Sequence, residues 1–178
     1  MRSRSKRVFL RAPEPEDCDT LVGLYLRSRA HFAGYASSKY SRGQFEILLL
    51  DAAKDSNEYF LICRADDNAI IGTLNFSQIF RKAFQNAYLG YQLFAGYTGR
   101  GYMTEAVAMG LRFVFIDLGL HRIEANVQPS NKPSIGVLKR NGFTKEGFSR
   151  RYLKINGRWC DHERWAILKE DWDARTID

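Results

Sequence analysis

The chain reads as an α/β (α+β) protein, built on a mixed sheet of six to seven strands with helices on both faces. Three features of the sequence predict this. Short β-branched and aromatic runs alternate with longer stretches of helical period, in the order β-α-α-β-β-β-α-β-α-β-β. The middle three strands are joined by short polar turns, which makes them an antiparallel meander. After the meander come a glycine-rich loop, a helix and a further strand, and two strands joined through a helix run parallel.

The elements follow in order. "RVFLRA" alternates and forms the first strand, which Pro13 and Pro15 end. Glu14, Glu16 and Asp17 suit the first turn of a helix running to about Arg29, because carboxylates favour the positive end of the helix dipole. Residues 30–40 read as loop or short helix. Ser41 caps a second helix over "SRGQFEILLLDAAK". "YFLICRA" is an apolar run of buried-strand type, turned by Asp66, Asp67 and Asn68. "AIIGTLNFSQIF" and "NAYLGYQLF" flank a hairpin marked by Arg81 and Lys82. Met103, Val107, Leu111, Val114 and Leu118 share one face of a helix over 103–118, and Gly119 stops it. "HRIEANVQ" is a strand. Asn131 or Lys132 caps a short helix beginning near Pro133, and Asn141-Gly142 ends it. "FTKEGF", "RRYLKING" and "RWCDHERWAIL" complete the sheet, with a turn at Asn156-Gly157.

Composition narrows the class. The 178 residues suit one domain, 1–178, with residues 1–6 as a mobile basic tail. Mean hydropathy is -0.37 and 45% of residues are hydrophobic, as in a soluble globular protein. Apolar stretches fall short of the roughly 20 residues a membrane span needs. The basic start is followed only by "VFL" before Arg11, so no apolar region of a secretory signal is present. Cys18, Cys63 and Cys160 are odd in number and lack a CxxC pair, which fits reduced thiols in a cytoplasmic protein. His31, His121 and His162 lack metal-ligand spacing, and no metal is expected. The net charge of +7 attracts anions: phosphorylated cofactors, acidic substrates or RNA. Basic residues crowd 139–164, where a solvated face and an anion site are both open readings.

"YTGRGYMTEA", residues 97–106, carries the first chemical signal. Free amides at a helix N-terminus point into the preceding loop with partial positive charge. Glycines at 99 and 101 allow left-handed conformations that gather such amides into one concavity, a site for phosphate oxygens, and Arg100 adds a full charge. An ordinary tight strand–helix turn is the alternative. A Walker loop is excluded because GxxxxGK[ST] is absent. A dinucleotide fingerprint is excluded because Thr104 stands where the third glycine belongs.

"GYTGRGYMTEA" together with "HRIEANVQPSNKPSIGVLKRNGFTKEG" resembles the acyl-CoA-binding half of the GNAT-fold N-acetyltransferases. Within them the chain is similar to the ribosomal-protein-alanine N-acetyltransferases of RimJ/RimL type, and "YLKINGRWCDHERWAIL" resembles their C-terminal strands. The resemblance implies that the backbone of Gly99, Arg100, Gly101, Tyr102, Met103 and Thr104 cradles the pyrophosphate of acetyl-CoA, the acetyl donor. It implies that the strands before and after the loop–helix unit splay apart, with pantetheine between them on backbone groups of Leu93 and Phe94. The family usually carries Arg or Gln three residues before its first glycine. Gly96 stands there, which shifts load to Arg100 or Tyr102.

Acetyl transfer to an amine needs a neutral amine, a polarised thioester carbonyl and a proton for the leaving thiolate. Asn131 and Ser134 form an "NxxS" step. The resemblance puts Asn131 on pantetheine amides and the Ser134 hydroxyl at the thioester sulfur, while helix capping is the plainer reading. The tyrosine that many relatives carry four residues beyond this serine is Leu138 here, leaving Ser134 or an ordered water as acid. The glutamate that related enzymes place two residues ahead of "GY" is Tyr88, read as either an orienting hydroxyl or a core aromatic. Glu105 reads as a helix-surface charge and Glu146 as a turn support. Asp161 and His162 form a carboxylate–imidazole pair only if their directions allow it, and adjacent strand residues face opposite sides.

The acceptor is expected to be a peptide or protein N-terminus, possible examples including a ribosomal protein. An α-amine with pKa about 7.7–8.0 is about a tenth neutral at pH 7, against about 0.04% for lysine, so a weak base suffices for it. Tyr88, Tyr91 and Tyr152 would crowd the acceptor end and favour a small first residue. A small amine such as a polyamine or antibiotic is the second reading. A non-catalytic acyl-CoA-binding or RNA-associated module is the third, without a recognised RNA motif. A monomer and a homodimer are both compatible with the sequence.

Overall fold

The computed structural model describes residues 3–4, 7–35 and 40–176. Of the basic start, Ser3–Arg4 (β1) pairs with Val8–Arg11 (β2), and the rest of the tail expected over 1–6 lies outside the described residues. A single 3₁₀ turn at Pro15–Asp17 leads into α1 (Cys18–Arg27), then α2 (Arg29–Phe32) and α3 (Arg42–Ala52). The Ser41 hydroxyl caps α3 by accepting the Gln44 amide at 3.4 Å. The meander is β3 (Glu58–Arg64), β4 (Ile70–Phe80) and β5 (Asn86–Leu93). Next come α4 (Tyr102–Arg112), β6 (Arg122–Val127) and α5 (Lys132–Arg140). The chain closes with β7 (Thr144–Ile155), β8 (Arg158–Leu168) and α6 (Lys169–Thr176).

The strands form one mixed sheet in the order β1-β2-β3-β4-β5-β6-β8-β7, seven of them substantial and β1 only two residues long. Every pairing is antiparallel except β5 with β6. Strand alternation sends Phe60, Ile62, Leu74, Leu89, Ile123 and Ile167 to one face, where α4 and α5 cover them with Met103, Val107, Leu111 and Leu138. Leu61 and Cys63 go to the other face, where α1 to α3 cover them with Leu21, Tyr25 and Phe45. Helices therefore occupy both faces, as the element order predicts. Among the described residues, no helix is long and apolar enough to cross a membrane.

Three details differ from the sequence reading. The helix over 103–118 relaxes after Arg112 into a π turn at Phe113–Asp117, with the Leu118 amide bonding the Phe113 carbonyl at 3.1 Å. "FTKEGF" and "RRYLKING" are a single strand, β7, with register shifts at 145–147 and 149–153. Asp161 Oδ1 holds the second shift by accepting the Arg151 amide at 2.7 Å. Helix α6 was not anticipated. Its Trp172 packs on Phe115, with ring centroids 5.5 Å apart, a long-range contact that no local pattern announces.

Helix α4 sits close on the sheet because Gly110 faces Phe76 and Leu74. A Cβ there would lie 3.1 Å from Phe76 Cζ and 3.2 Å from Leu74 Cδ2. Gly110→Val is therefore expected to overpack this contact and cost about 2 kcal/mol of stability, read from the midpoint of urea unfolding.

Candidate active site

Parallel pairing of β5 and β6 covers only Asn86–Tyr88 against Arg122–Glu124. Beyond it each strand follows its other neighbour. β5 stays on β4 as far as Gly72↔Leu93, and the Phe94 amide continues this by donating to Ile71 O at 2.9 Å. β6 stays on β8 as far as Val127↔Glu163. The strands diverge, and a cavity of about 160 Å³ opens between them, lined by Gly90, Tyr91, Asn126, Asn131, Ser134 and His162 among others. By strand alternation the Leu93 backbone groups face this gap, whereas the Phe94 amide is already taken by β4.

The glycine loop lies at the wide end of the gap. Gly99 and Gly101 have φ of +73° and +81°, the left-handed region that glycine enters without a Cβ penalty. Gly101 is the N-cap of α4 and supplies no side chain, so the amides of Tyr102, Met103 and Thr104 start the helix without a side-chain cap. Met103 is buried in the core, and Tyr102 and Thr104 are half-buried. Gly96, at the family's Arg/Gln place, has φ of +89° and nothing within 4 Å of where a Cβ would stand.

Arg7 holds the loop from below. Its Nη1 donates to the Arg100 carbonyl at 2.9 Å, its Nε donates to Glu105 at 2.6 Å, and its guanidinium lies 5.3 Å from the centre of the Tyr102 ring. Glu105, expected to be a plain surface charge, is thus the partner of Arg7. The sequence placed Arg7 only at the start of the first strand. Its role was hidden because its partners lie more than ninety residues away.

At the start of α5, Asn131 Oδ1 accepts the Ser134 amide at 3.3 Å, so the capping role of Asn131 is realised. Ser134 lines the cavity, and its hydroxyl lies 2.8 Å from Tyr91 Oη, which also donates to the Ser134 carbonyl at 3.1 Å. Burial pushes the Tyr91 phenol up to about 12, against a smaller lowering by Ser134, so it stays protonated at neutral pH. Leu138 is fully buried in the core. A phenol therefore reaches this serine from β5 rather than from α5. The signal was available: Tyr91 shares its face with Leu89 and Leu93, the face that α4 and α5 cover.

Tyr88 and His162 belong to the opposite face. Tyr88 is half-buried, and burial, then the charge of Glu124, raises its phenol. It does not line the cavity, so the structure does not bring it to Ser134. His162 is 3% exposed and does line it. Asp161 points the other way onto the Arg151 amide, so the two form no pair. Glu146 supports no turn. It bonds Arg122, which also bonds Glu124 at 3.0 Å and so ties β6 to the β7–β8 side of the gap. Among the described residues, no group of three or more His, Cys, Asp or Glu could hold a metal ion.

Residues 7–144 match the acetyltransferase (GNAT) domain. This chain belongs to the GNAT acetyltransferase family. The acetyltransferase is 38% identical over 176 residues to the probable N-acetyltransferase YjcK of Bacillus subtilis, covering 94% of this chain and 97% of that one. It is 41% identical over 114 residues to the [ribosomal protein uS5]-alanine N-acetyltransferase of Escherichia coli, covering 64% of this chain and 59% of that one. Its fold superposes on Mycobacterium smegmatis RimJ in complex with CoA-disulfide at a TM-score of 0.82 and 29% identity, covering 95% and 89% of the two chains.

A side chain at Gly101 would be strained at φ +81° and would meet Arg7 Nη2 at 3.0 Å. Gly101→Glu would also place a negative charge in the amide concavity. The variant is expected to lose measurable coenzyme A binding by calorimetry while its far-ultraviolet spectrum stays that of the wild type.

Proposed function

We propose that this acetyltransferase moves the acetyl group of acetyl-CoA to the α-amino group of a protein N-terminus, with a ribosomal protein as the acceptor class. The observation that carries the acceptor side is the lining of the cavity, which among the described residues includes amides, hydroxyls and an imidazole but no carboxylate. A polyamine brings several charges that a site must neutralise, and desolvating them against uncharged groups is costly. An α-amine enters neutral in useful amounts at pH 7. The likeness to the Escherichia coli [ribosomal protein uS5]-alanine N-acetyltransferase supports the same choice. The unpaired thiols of Cys18, Cys63 and Cys160 agree with a cytoplasmic enzyme.

In this reading the uncapped amides of Tyr102, Met103 and Thr104, with Arg100 beside them, take the pyrophosphate. Pantetheine lies in the gap on the free edge of β5 around Leu93. Asn131 fixes the first turn of α5, so that Ser134 is held at the thioester end. The Ser134 hydroxyl gives its proton to the departing thiolate, and Tyr91 re-supplies that proton through their mutual hydrogen bond. Tyr88 shapes the entrance on the acceptor side.

Matched peptides decide the acceptor. A peptide with a free N-terminal Ala is expected to gain one acetyl group at that amine by mass spectrometry, and the same peptide with a blocked N-terminus none. Equal labelling of both would place the acetyl group on lysine. Ser134→Ala is expected to lower kcat by about 10² and Tyr91→Phe by about tenfold, both with coenzyme A affinity close to wild type. Because the Tyr91 phenol is pushed up to about 12, the wild-type kcat should show no alkaline loss from it below about pH 11.

A further inference from the structure

His162 is buried, and among the described residues only one of its ring nitrogens has a hydrogen-bond partner. Nδ1 lies 3.0 Å from the Cys160 carbonyl. A carbonyl can only accept, so in the neutral ring Nδ1 carries the hydrogen and Nε2 keeps the lone pair. The same cavity is lined by Asn126, whose Oδ1 is buried and among the described residues has no hydrogen-bond partner. Register explains why both meet one space. Asn126 is opposite Arg164 across the β6–β8 ladder, so Gln128 falls opposite His162, and 126, 128, 162 and 164 share a face. Gln128 is occupied, donating to the Gly34 carbonyl at 2.7 Å. Two acceptors without hydrogens of their own to offer, Nε2 and Asn126 Oδ1, therefore border a cavity whose lining, among the described residues, holds no carboxylate. A group that brings two N–H donors and no net charge satisfies both, and a neutral primary amine is such a group.

We propose that His162 Nε2 is the base that takes the proton of the acceptor amine, with Asn126 Oδ1 accepting a second N–H to aim the nitrogen. This rests on the acetyl-transfer reading above. The neutral amine nitrogen attacks the thioester carbonyl carbon, forming the C–N bond as the carbonyl pair moves to oxygen. The proton now on nitrogen passes to Nε2. The carbonyl re-forms, the C–S bond breaks with its electron pair on sulfur, and the sulfur takes a proton from the Ser134 hydroxyl. The imidazolium then releases its proton to solvent, and solvent restores the one taken through Ser134 and Tyr91. Base and acid thus approach the reacting carbon from opposite faces of the sheet, through the gap between β5 and β6.

The surroundings suit a base that must be neutral before each turnover. From β7, the Tyr152 ring lies 5.8 Å from the His162 ring. From β5 come the phenols of Tyr88, on the same face, and Tyr91, across the cavity, and from the segment after α2 comes Tyr35. From β6 the nearest charges on this face are Glu124 and the Arg122 that neutralises it. On β8 itself Arg164 shares the face, while Asp161 and Glu163 point away, the latter onto Lys145. Among the described residues no carboxylate bonds the imidazole, whose Nδ1 bonds the Cys160 carbonyl.

The test uses His162→Asn, whose amide can still donate to the Cys160 carbonyl but cannot take a proton, with Asn126→Ala alongside. An N-terminal Ala peptide and spermidine are both offered to the full chain. The amine that the wild type turns over judges the acceptor assignment, and the variants are then compared on that amine. Wild-type log(kcat/KM) should fall with a slope approaching two at low pH, one proton for the amine and one for the imidazole. His162→Asn should lower kcat/KM by about 10² to 10⁴ at pH 7, reduce the slope to one and leave coenzyme A affinity unchanged. Asn126→Ala should raise KM for the amine by roughly five- to tenfold and keep the slope at two. A His162→Asn enzyme within threefold of wild type, or one that keeps the wild-type slope, overturns the proposal.

Discussion

The geometry of the site depends on where the hydrogen bonds between β5 and β6 stop. A parallel pair that continued past Tyr88 and Glu124 would close the sheet and leave no opening. Instead β5 remains committed to β4 through Leu93 and the Phe94 amide, and β6 to β8 through Val127. Each strand satisfies one edge within the protein and leaves the other edge facing the cavity. Buried backbone groups are rarely left without a partner, so such an edge is a natural place for an extended ligand with amides of its own. The Arg122 bridge to Glu124 and Glu146 supports the divergence by holding β6 on the β7–β8 side.

Around that opening the two faces of the sheet carry different chemistry. The face under α4 and α5 holds the helix amides, Arg100, Ser134 and Tyr91, groups that donate hydrogen bonds or protons. The face toward α1 to α3 holds Asn126, whose Oδ1 is buried, and His162. The period-two alternation of strands makes this separation automatic. Odd-numbered residues of β5, such as Leu89 and Tyr91, go one way, and Tyr88 and Gln92 go the other. Among the described residues, the gap between β5 and β6 is where residues of both faces, Tyr91 and Ser134 from one and Asn126 and His162 from the other, line one cavity.

Parts of this were legible because they obey local rules. The caps at Ser41 and Asn131, the helix stops at Gly119 and Asn141-Gly142, the hairpin at Arg81–Lys82 and the left-handed glycines at 99 and 101 all follow from side chains and backbone within a few residues. The joined motifs over 88–148 were enough to indicate the fold. Other parts had no local signature. Arg7 meets Glu105 across 98 positions, and Tyr91 meets Ser134 across 43. Glu146 looked like a turn residue because the register shift that frees it from the β7–β8 ladder is invisible until both strands are aligned.

The sequence by itself determined the order of elements, the glycine concavity at the head of α4 and the capped serine at the head of α5. Each is set by φ preferences, helix-end amides and short-range hydrogen bonds that act before any long-range contact forms. Tertiary structure alone decided which side chains share the cavity. Strand alternation told that Asp161 and His162 face opposite ways, but not which of them faces inward. That choice belongs to the β6–β8 register, where Val127 opposes Glu163, because a slip of one residue would exchange the two faces and turn the imidazole away from the gap.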